Sequence, residues 1–292
     1  MRIALCLSGQ LGYETLLHLS KKPIDIVCIF TDKASKPISD WAKRNETPLF
    51  LGNPRKGRAS SFIEQHAVDH LFSVNYLFII EEDMIEWSGV YAINIHGSLL
   101  PKYRGRTPHV WAIINNEYKT GITAHLIDVD CDTGPIVDQV EIPIESQDTG
   151  GKLLDKFKMQ YPILIDRILE SLNNSDLKLT PQDTSRATYF GRRTPADGEI
   201  DWNWHKERIR NWVRAQADPY PGAFTWYGSA KVIVDEIAYD DHGFHQETPN
   251  GTILTTNPIR VKTPNGAVRL VSLREAPEEI KINHKFGSYE DS

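Results

Sequence analysis

The sequence predicts an α/β protein in which a mostly parallel sheet is followed by a smaller antiparallel β module. Three observations carry that prediction. Short apolar runs alternate with helical spacings through the first half of the chain. One of those runs ends on a polar pair, Asn94 and His96, just before a loop bearing Gly97, Pro101 and Gly105, where open α/β sheets bind ligands. Beyond residue 200 the texture changes to short strands, with Asn-Gly pairs at Asn250-Gly251 and Asn265-Gly266 read as turns.

In chain order, residues 3–7 read as an apolar strand and 12–19 as a helix carrying Leu16, Leu17 and Leu19. A second strand at 24–31, a helix at 38–44, a short strand at 49–51 and a helix at 61–66 continue the alternation. Residues 76–80 supply its next hydrophobic run. The strand at 90–95 puts Asn94 and His96 on the face opposite Ile93 and Ile95. A helix at 110–115 with Trp111 and Ile114 in the core comes next. Residues 121–128 and 135–144 then read as an antiparallel pair across an acidic turn. Apolar residues at helical spacing over 153–172 predict a helix that Pro162 kinks or divides. Residues 205–214 predict a helix with Ile209, Trp212 and Val213 on one side, and the chain from 281 onward is expected to be weakly ordered. The division that follows is a domain at 1–187, a turn-rich connector at 188–204, and a helix plus small β module at 205–292.

Composition narrows the class. The chain has 292 residues, 40% hydrophobic and 25% charged, as a soluble globular protein does. No apolar run approaches the ~20 residues that span a bilayer. The run after Met1 is too short for a signal peptide and breaks at once into Ser8-Gly9-Gln10-Leu11-Gly12, which also lacks the full dinucleotide fingerprint. Cys6, Cys28 and Cys131 are odd in number and far apart, so no disulfide framework or metal spacing is present and a reducing cytoplasm is expected. Cys6 and Cys28 read as core fillers. A net charge of -6 gives no global footprint for nucleic acid. Arg55-Lys56-Gly57-Arg58 is a local basic spot that reads as a solvated loop, with a phosphate contact as the alternative.

The chemistry-bearing residues fall in two segments. One is Asn94-Ile95-His96-Gly97-Ser98-Leu99-Leu100-Pro101. The other runs from Thr120 through His125 to the turn Asp128-Val129-Asp130-Cys131-Asp132-Thr133-Gly134. Alone, His125 reads as a structural strand histidine. Ser98 lacks the Gly-x-Ser-x-Gly elbow of a nucleophile, and the three aspartates lack the ligand pattern of a calcium loop. Carboxylate crowding in that turn predicts a raised pKa for one of its members.

Together the two segments resemble the formyltransferases that use 10-formyltetrahydrofolate, a family with an Asn-X-His-X-Ser-Leu-Leu-Pro segment and a later Asp-Thr-Gly turn. The resemblance implies a Rossmann-like sheet with an OB-like C-terminal module, and Asn94, His96 and Asp132 as catalytic residues. In those roles Asn94 stabilises the oxygen where charge develops, His96 takes the proton, and Asp132 holds the imidazole in one tautomer or relays the proton. It places the folate donor against Phe78, Ile79, Ile80 and Asp83, and the acceptor near Lys102, Tyr103 and Arg104, with no metal required.

The runs Phe190-Gly191-Arg192-Arg193-Thr194-Pro195-Ala196-Asp197 and Arg214 to Phe224 are similar to the sugar N-formyltransferases. That implies an amine acceptor on a nucleotide-linked sugar, a precursor of cell-surface glycans such as lipopolysaccharide or O-antigen. It also implies a cytoplasmic enzyme and leaves a homodimer open. Methionyl-tRNA formyltransferases share Pro221-Gly222-Ala223-Phe224 and are the first alternative. However, residues 200–292 hold 11 Lys or Arg against 13 Asp or Glu, not the basic face that RNA phosphates favour. A formyltetrahydrofolate hydrolase, with water in place of the amine, and a non-catalytic binding protein are the remaining alternatives.

Overall fold

The computed structural model describes residues 1–287. They form two compact units. The first comprises Met1–Gly105, Gly121–Ile142 and Lys156–Phe190, and the second Arg106–Thr120, Pro143–Asp155 and the chain from Gly191 onward.

The first unit is built on β1 (Arg2–Leu7), β2 (Asp25–Thr31), β3 (Leu49–Leu51), β4 (Val68–Val74), β5 (Ser88–His96), the two-residue β6 (Arg104–Gly105), β7 (Lys119–Leu126), β8 (Ile136–Pro143) and the two-residue β9 (Tyr189–Phe190). Seven of these make one sheet in the order β3-β2-β1-β4-β5-β7-β8. Its first five strands are parallel, and β7 runs antiparallel to β5. β8 returns beside β7: Leu126 N–H donates to Pro135 O at 2.9 Å, while Gly121 lies against Val140 O. Those two contacts fix the expected antiparallel pair.

Burial explains why the parallel strands form. Ile3 to Leu7 are all fully buried, the continuous apolar run of a strand covered on both faces. Phe30 packs on Phe50 and Phe62 with ring centroids 5.5 and 5.3 Å apart, and on Trp87 at 5.9 Å. Helices α1 (Gly9–Leu19), α2 (Lys36–Arg44), α3 (Ser60–Ile63) and α4 (Glu82–Trp87) occupy the connections between these strands.

Two expectations change here. The strand between β1 and β5 is Val68–Val74, not the hydrophobic run at 76–80. Asp69, His70 and Ser73 interrupt its apolar pattern and hide it, whereas Asn75 at φ 54° ends the strand and turns 76–80 into its exit loop. Pro162 does not divide the long helix either. α6 (Gly150–Asn173) runs unbroken, because Phe157, Tyr161, Leu164, Ile165, Ile168 and Leu169 bury one stripe across the proline.

The second unit carries α5 (Pro108–Ile114) and α7 (Lys206–Gln216), the latter burying Ile209, Trp212, Val213 and Ala215. The Arg193 guanidinium lies between the rings of Trp111 (5.0 Å) and Trp212 (4.3 Å). Five antiparallel strands follow: β10 (Ala223–Tyr227), β11 (Ala230–Asp240), β12 (Ile253–Thr256), β13 (Ile259–Thr263) and β14 (Gly266–Glu275), in the order β10-β11-β14-β13-β12. Asn265 lies in the tight β13–β14 turn, with Thr263 opposite Gly266. Asn250-Gly251 does not make a hairpin. It sits in the long β11–β12 connection, where Gly251 N–H donates to Lys262 O at 2.9 Å.

The expected loose tail from 281 is also corrected. Thr252 bridges to Lys285, Trp226 to Gly287, and Phe286 is fully buried against Trp202 and Tyr227. A single aromatic anchor outweighs the polar composition around it. The remainder of that tail, 288–292, lies outside the described residues.

Candidate active site

The site is assembled at the carboxyl end of β5, on its polar face. Parallel strands leave their carboxyl ends open where the chain turns into a loop, and here β5 ends directly on His96. Across the ladder Asn94 pairs with His125 of β7, and His96 with Thr123. The Nδ2 of Asn94 lies 3.1 Å from His125 Nε2, and His125 Nδ1 donates to the carbonyl of Leu126 at 2.7 Å.

The loop after β5 folds back on His96. The imidazole Nε2 lies 2.8 Å from the carbonyl oxygen of Tyr103. A carbonyl can only accept, so Nε2 carries the hydrogen and Nδ1 is the free basic nitrogen of the neutral ring. Nδ1 faces Asp132 Oδ2 at 3.5 Å, while Asp132 Oδ1 is 3.6 Å from His125 Nε2. The tautomer is therefore held by Tyr103, and Asp132 stands on the side where a proton would arrive.

Asp132 reaches that place through a strained turn. Its own φ is 58°, a left-handed conformation that Asp tolerates better than most residues. Gly134 lets the turn pass close over β7, since a Cβ there would sit 2.0 Å from Leu126 O. Gly105 N–H donates to Asp132 Oδ2 at 2.9 Å, and Gln182 Nε2 donates to the carbonyls of Asp132 (2.9 Å) and Gly134 (2.7 Å).

Electrostatics sort the two titrating partners. Burial pushes the His96 pKa below its ordinary 6.5, with the Asp132 charge and the Tyr103 hydrogen bond opposing it. The resting imidazole is therefore neutral at pH 7. For Asp132 burial alone would raise the pKa. Attraction to the His96 ring when it is protonated, the contact with His125 and the Gly105 N–H outweigh it and hold the carboxyl well below the usual range. The raised pKa expected for the acidic turn is not found at Asp132, because two imidazoles and the Gly105 N–H face it rather than other carboxylates.

The predicted acceptor residues separate. Arg104 is only 1% exposed, and its guanidinium donates to Gln182 Oε1 at 2.7 and 3.2 Å and to Tyr189 Oη. It braces the clamp on the Asp132 turn and is not free to meet an acceptor. Tyr103 stacks on Phe190 at 4.8 Å and serves the site through its backbone carbonyl, while Lys102 is exposed. Of the predicted donor residues, Ile80 is buried in the core and Asp83 bonds the N–H of Met84. Phe78 is partly buried against Tyr76, and Ile79 is 56% exposed on the loop leaving β4, next to β5 in the sheet. Sequence reasoning left out Gln182 and the Tyr103 carbonyl, for which no side-chain pattern exists. It also read His125 as structural, although the alternation of β7 aims it at Asn94.

A neutral imidazole facing an ionised carboxylate, with a carboxamide beside it at the open end of a parallel sheet, is an arrangement able to take up a proton and hold it. Residues 1–169 match the family model described as formyl transferase, and residues 192–285 match the formyl transferase C-terminal domain. The chain belongs to the formyl transferase family. Among solved structures it is similar to WlaRD, a sugar 3N-formyl transferase determined with dTDP and 5-N-formyl-THF. Identity is 21% over 94% of this chain and 99% of that one, with a TM-score of 0.70. An N-formyltransferase from Helicobacter canadensis, in complex with folinic acid and dTDP-3-aminofucose, is 19% identical over 92% of this chain and 97% of that one, TM-score 0.70. HypX from Aquifex aeolicus with tetrahydrofolic acid is 17% identical over 96% of this chain but only 45% of that one, TM-score 0.63. At these identities the likeness is one of fold. Among the described residues no helix is long and apolar enough to cross a membrane.

Proposed function

We propose that the protein transfers the formyl group of 10-formyltetrahydrofolate to the amine of a nucleotide-linked amino sugar. The observation that carries this reading is the His96 pair of contacts, Tyr103 O on Nε2 and Asp132 Oδ2 facing Nδ1. The donor supplies an activated one-carbon acyl group. An attacking amine must lose a proton as it bonds to the formyl carbon, and His96 Nδ1 is the group that takes it. The bond from that carbon to folate N10 then breaks, and the proton passes from His96 to the departing nitrogen, releasing tetrahydrofolate. Asp132 gains most once that proton is on the ring, so its charge favours the transition state over the ground state. Asn94 donates an amide N–H to the formyl oxygen as negative charge gathers there.

The exposed apolar side chains of Leu77 (46%) and Ile79 (56%), on the loop beside β5, suit the flat ring system of a folate. Solved relatives of the same fold that hold folates and dTDP or a dTDP-sugar support both substrate classes. The acidic balance of 200–292 favours a sugar over a transfer-RNA acceptor. In this reading the chemistry belongs to 1–187, with 188–204 a connector and 205–292 doing none of it. The enzyme works in the cytoplasm on a surface-glycan precursor such as one for lipopolysaccharide or O-antigen, as a homodimer or a monomer. The test is incubation with formyltetrahydrofolate and a panel of nucleotide-linked amino sugars, reading the mass of one added formyl group. Formate release without an acceptor supports a hydrolase instead.

A further inference from the structure

We infer that the basic loop after β3 is the docking site for the acidic tail of the folate donor, so that the enzyme prefers a polyglutamylated donor over the monoglutamate. The inference rests on the folate reading above and extends it to residues outside the reacting centre.

The loop Asn53, Arg55, Lys56 and Arg58 lines a surface cavity of about 230 Å³. Three cations share it. One carboxylate answers them: Glu81 Oε1 takes Arg55 Nε at 2.9 Å, and Glu81 Oε2 takes the backbone N–H of Lys56 at 2.7 Å. Those two bonds pull the Glu81 pKa down, the Lys56 N–H first and the Arg55 guanidinium after it. Lys56 and Arg58 are exposed, and Arg58 has no hydrogen bond or ion pair among the described residues. Lys56 and Gly57 hold φ at 61° and 68°, and Asn53 Oδ1 takes the Arg55 N–H at 3.1 Å, so the loop has a defined shape.

Position selects the occupant. Strand β3 is four strands from β5, ~19 Å at the usual spacing, too far for the loop to meet reacting atoms. Yet Glu81 lies two residues beyond Ile79, and its bonds to Arg55 and Lys56 tie the loop to the apolar segment beside β5. A ligand with a flat apolar body and a flexible chain of carboxylates matches this sequence of surfaces. A nucleoside diphosphate offers anions too, but no chain to bridge from the apolar segment to the loop.

The experiment titrates the intact protein with 5-formyltetrahydrofolate in monoglutamate and triglutamate forms, and with a nucleoside diphosphate alone. Each titration is repeated for Arg58→Ala and Lys56→Asn, Asn being chosen because it tolerates the left-handed backbone. The wild type is expected to bind the triglutamate about threefold to fivefold tighter per engaged carboxylate at low salt, an advantage that shrinks as salt rises. Each variant is expected to lose part of that advantage, and the pair together most of it. Equal affinity for the two folates, or an advantage that survives both substitutions, overturns the assignment alone. Loss of nucleoside diphosphate affinity in the variants makes phosphate the occupant and also overturns it. If neither folate binds, the transfer reading falls and this inference with it.

Discussion

The carbonyl oxygen of Tyr103 sits 2.8 Å from Nε2 of His96, and that hydrogen bond decides which imidazole nitrogen is basic. The carbonyl reaches it because Tyr103 adopts φ 59° while its ring stacks on Phe190. The loop after β5 thus fixes the imidazole tautomer through its backbone rather than through a charged side chain.

Replacing His96 by Asn is expected to lower turnover roughly 10²–10⁴-fold, the usual contribution of a positioned acid–base group, with donor affinity retained. Steady-state rates beside a donor titration check it. Near-normal turnover at saturating amine overturns the role.

In the proposed mechanism the neutral form of His96 is the working form, and burial lowers its pKa, so activity is expected to persist as pH falls past 6.5. Asp132→Asn removes the charge that opposes burial. It should move the acid limb of kcat/KM further down while lowering the plateau, with folate affinity little changed. A plateau near wild type would mean that Asp132 only shapes its turn.

Gly105→Ala is expected to cost about 1–3 kcal/mol and to lower turnover as well. Gly105 holds φ at 100°, and a Cβ would sit 2.3 Å from Phe190 O, so the N–H that grips Asp132 must shift. Melting temperature and turnover of the soluble variant test both effects.

In the second unit, burial pushes the His109 pKa down to about 4, and its Nε2 lies 2.6 Å from Tyr220 Oη. Between about pH 4 and 6.5 the unfolded chain binds this proton and the folded one does not. The contribution is therefore fully present above about 6.5 and lost as pH falls toward 4, amounting to at most about 3 kcal/mol. His109→Gln should flatten that part of the stability profile in chemical denaturation. An unchanged slope overturns the assignment.

Phe286→Ala should destabilise the protein by about 3–5 kcal/mol, the cost of emptying a fully buried aromatic site. A loss within 0.5 kcal/mol would restore the view of this segment as loose.

The sequence by itself determined the alternation of the parallel sheet, the end of β5 on Asn94 and His96, and the turn that presents Asp132. Each depends on local pattern: buried parallel strands are continuous apolar runs, and polar residues at alternate positions share one face. It misread Val68–Val74 because His70 and Ser73, though polar, are buried there by neighbours that only the sheet brings. It overestimated Pro162 because a buried stripe elsewhere on the helix carries the chain across it. Tertiary structure alone decided which atoms meet. Tyr103 O on His96, Gln182 under the Asp132 turn and Arg104 behind Gln182 join segments up to 78 positions apart, several of them through backbone groups. Backbone donors and acceptors are the same in every residue, so no residue pattern announces them. Only the folded path of the chain gives them a direction.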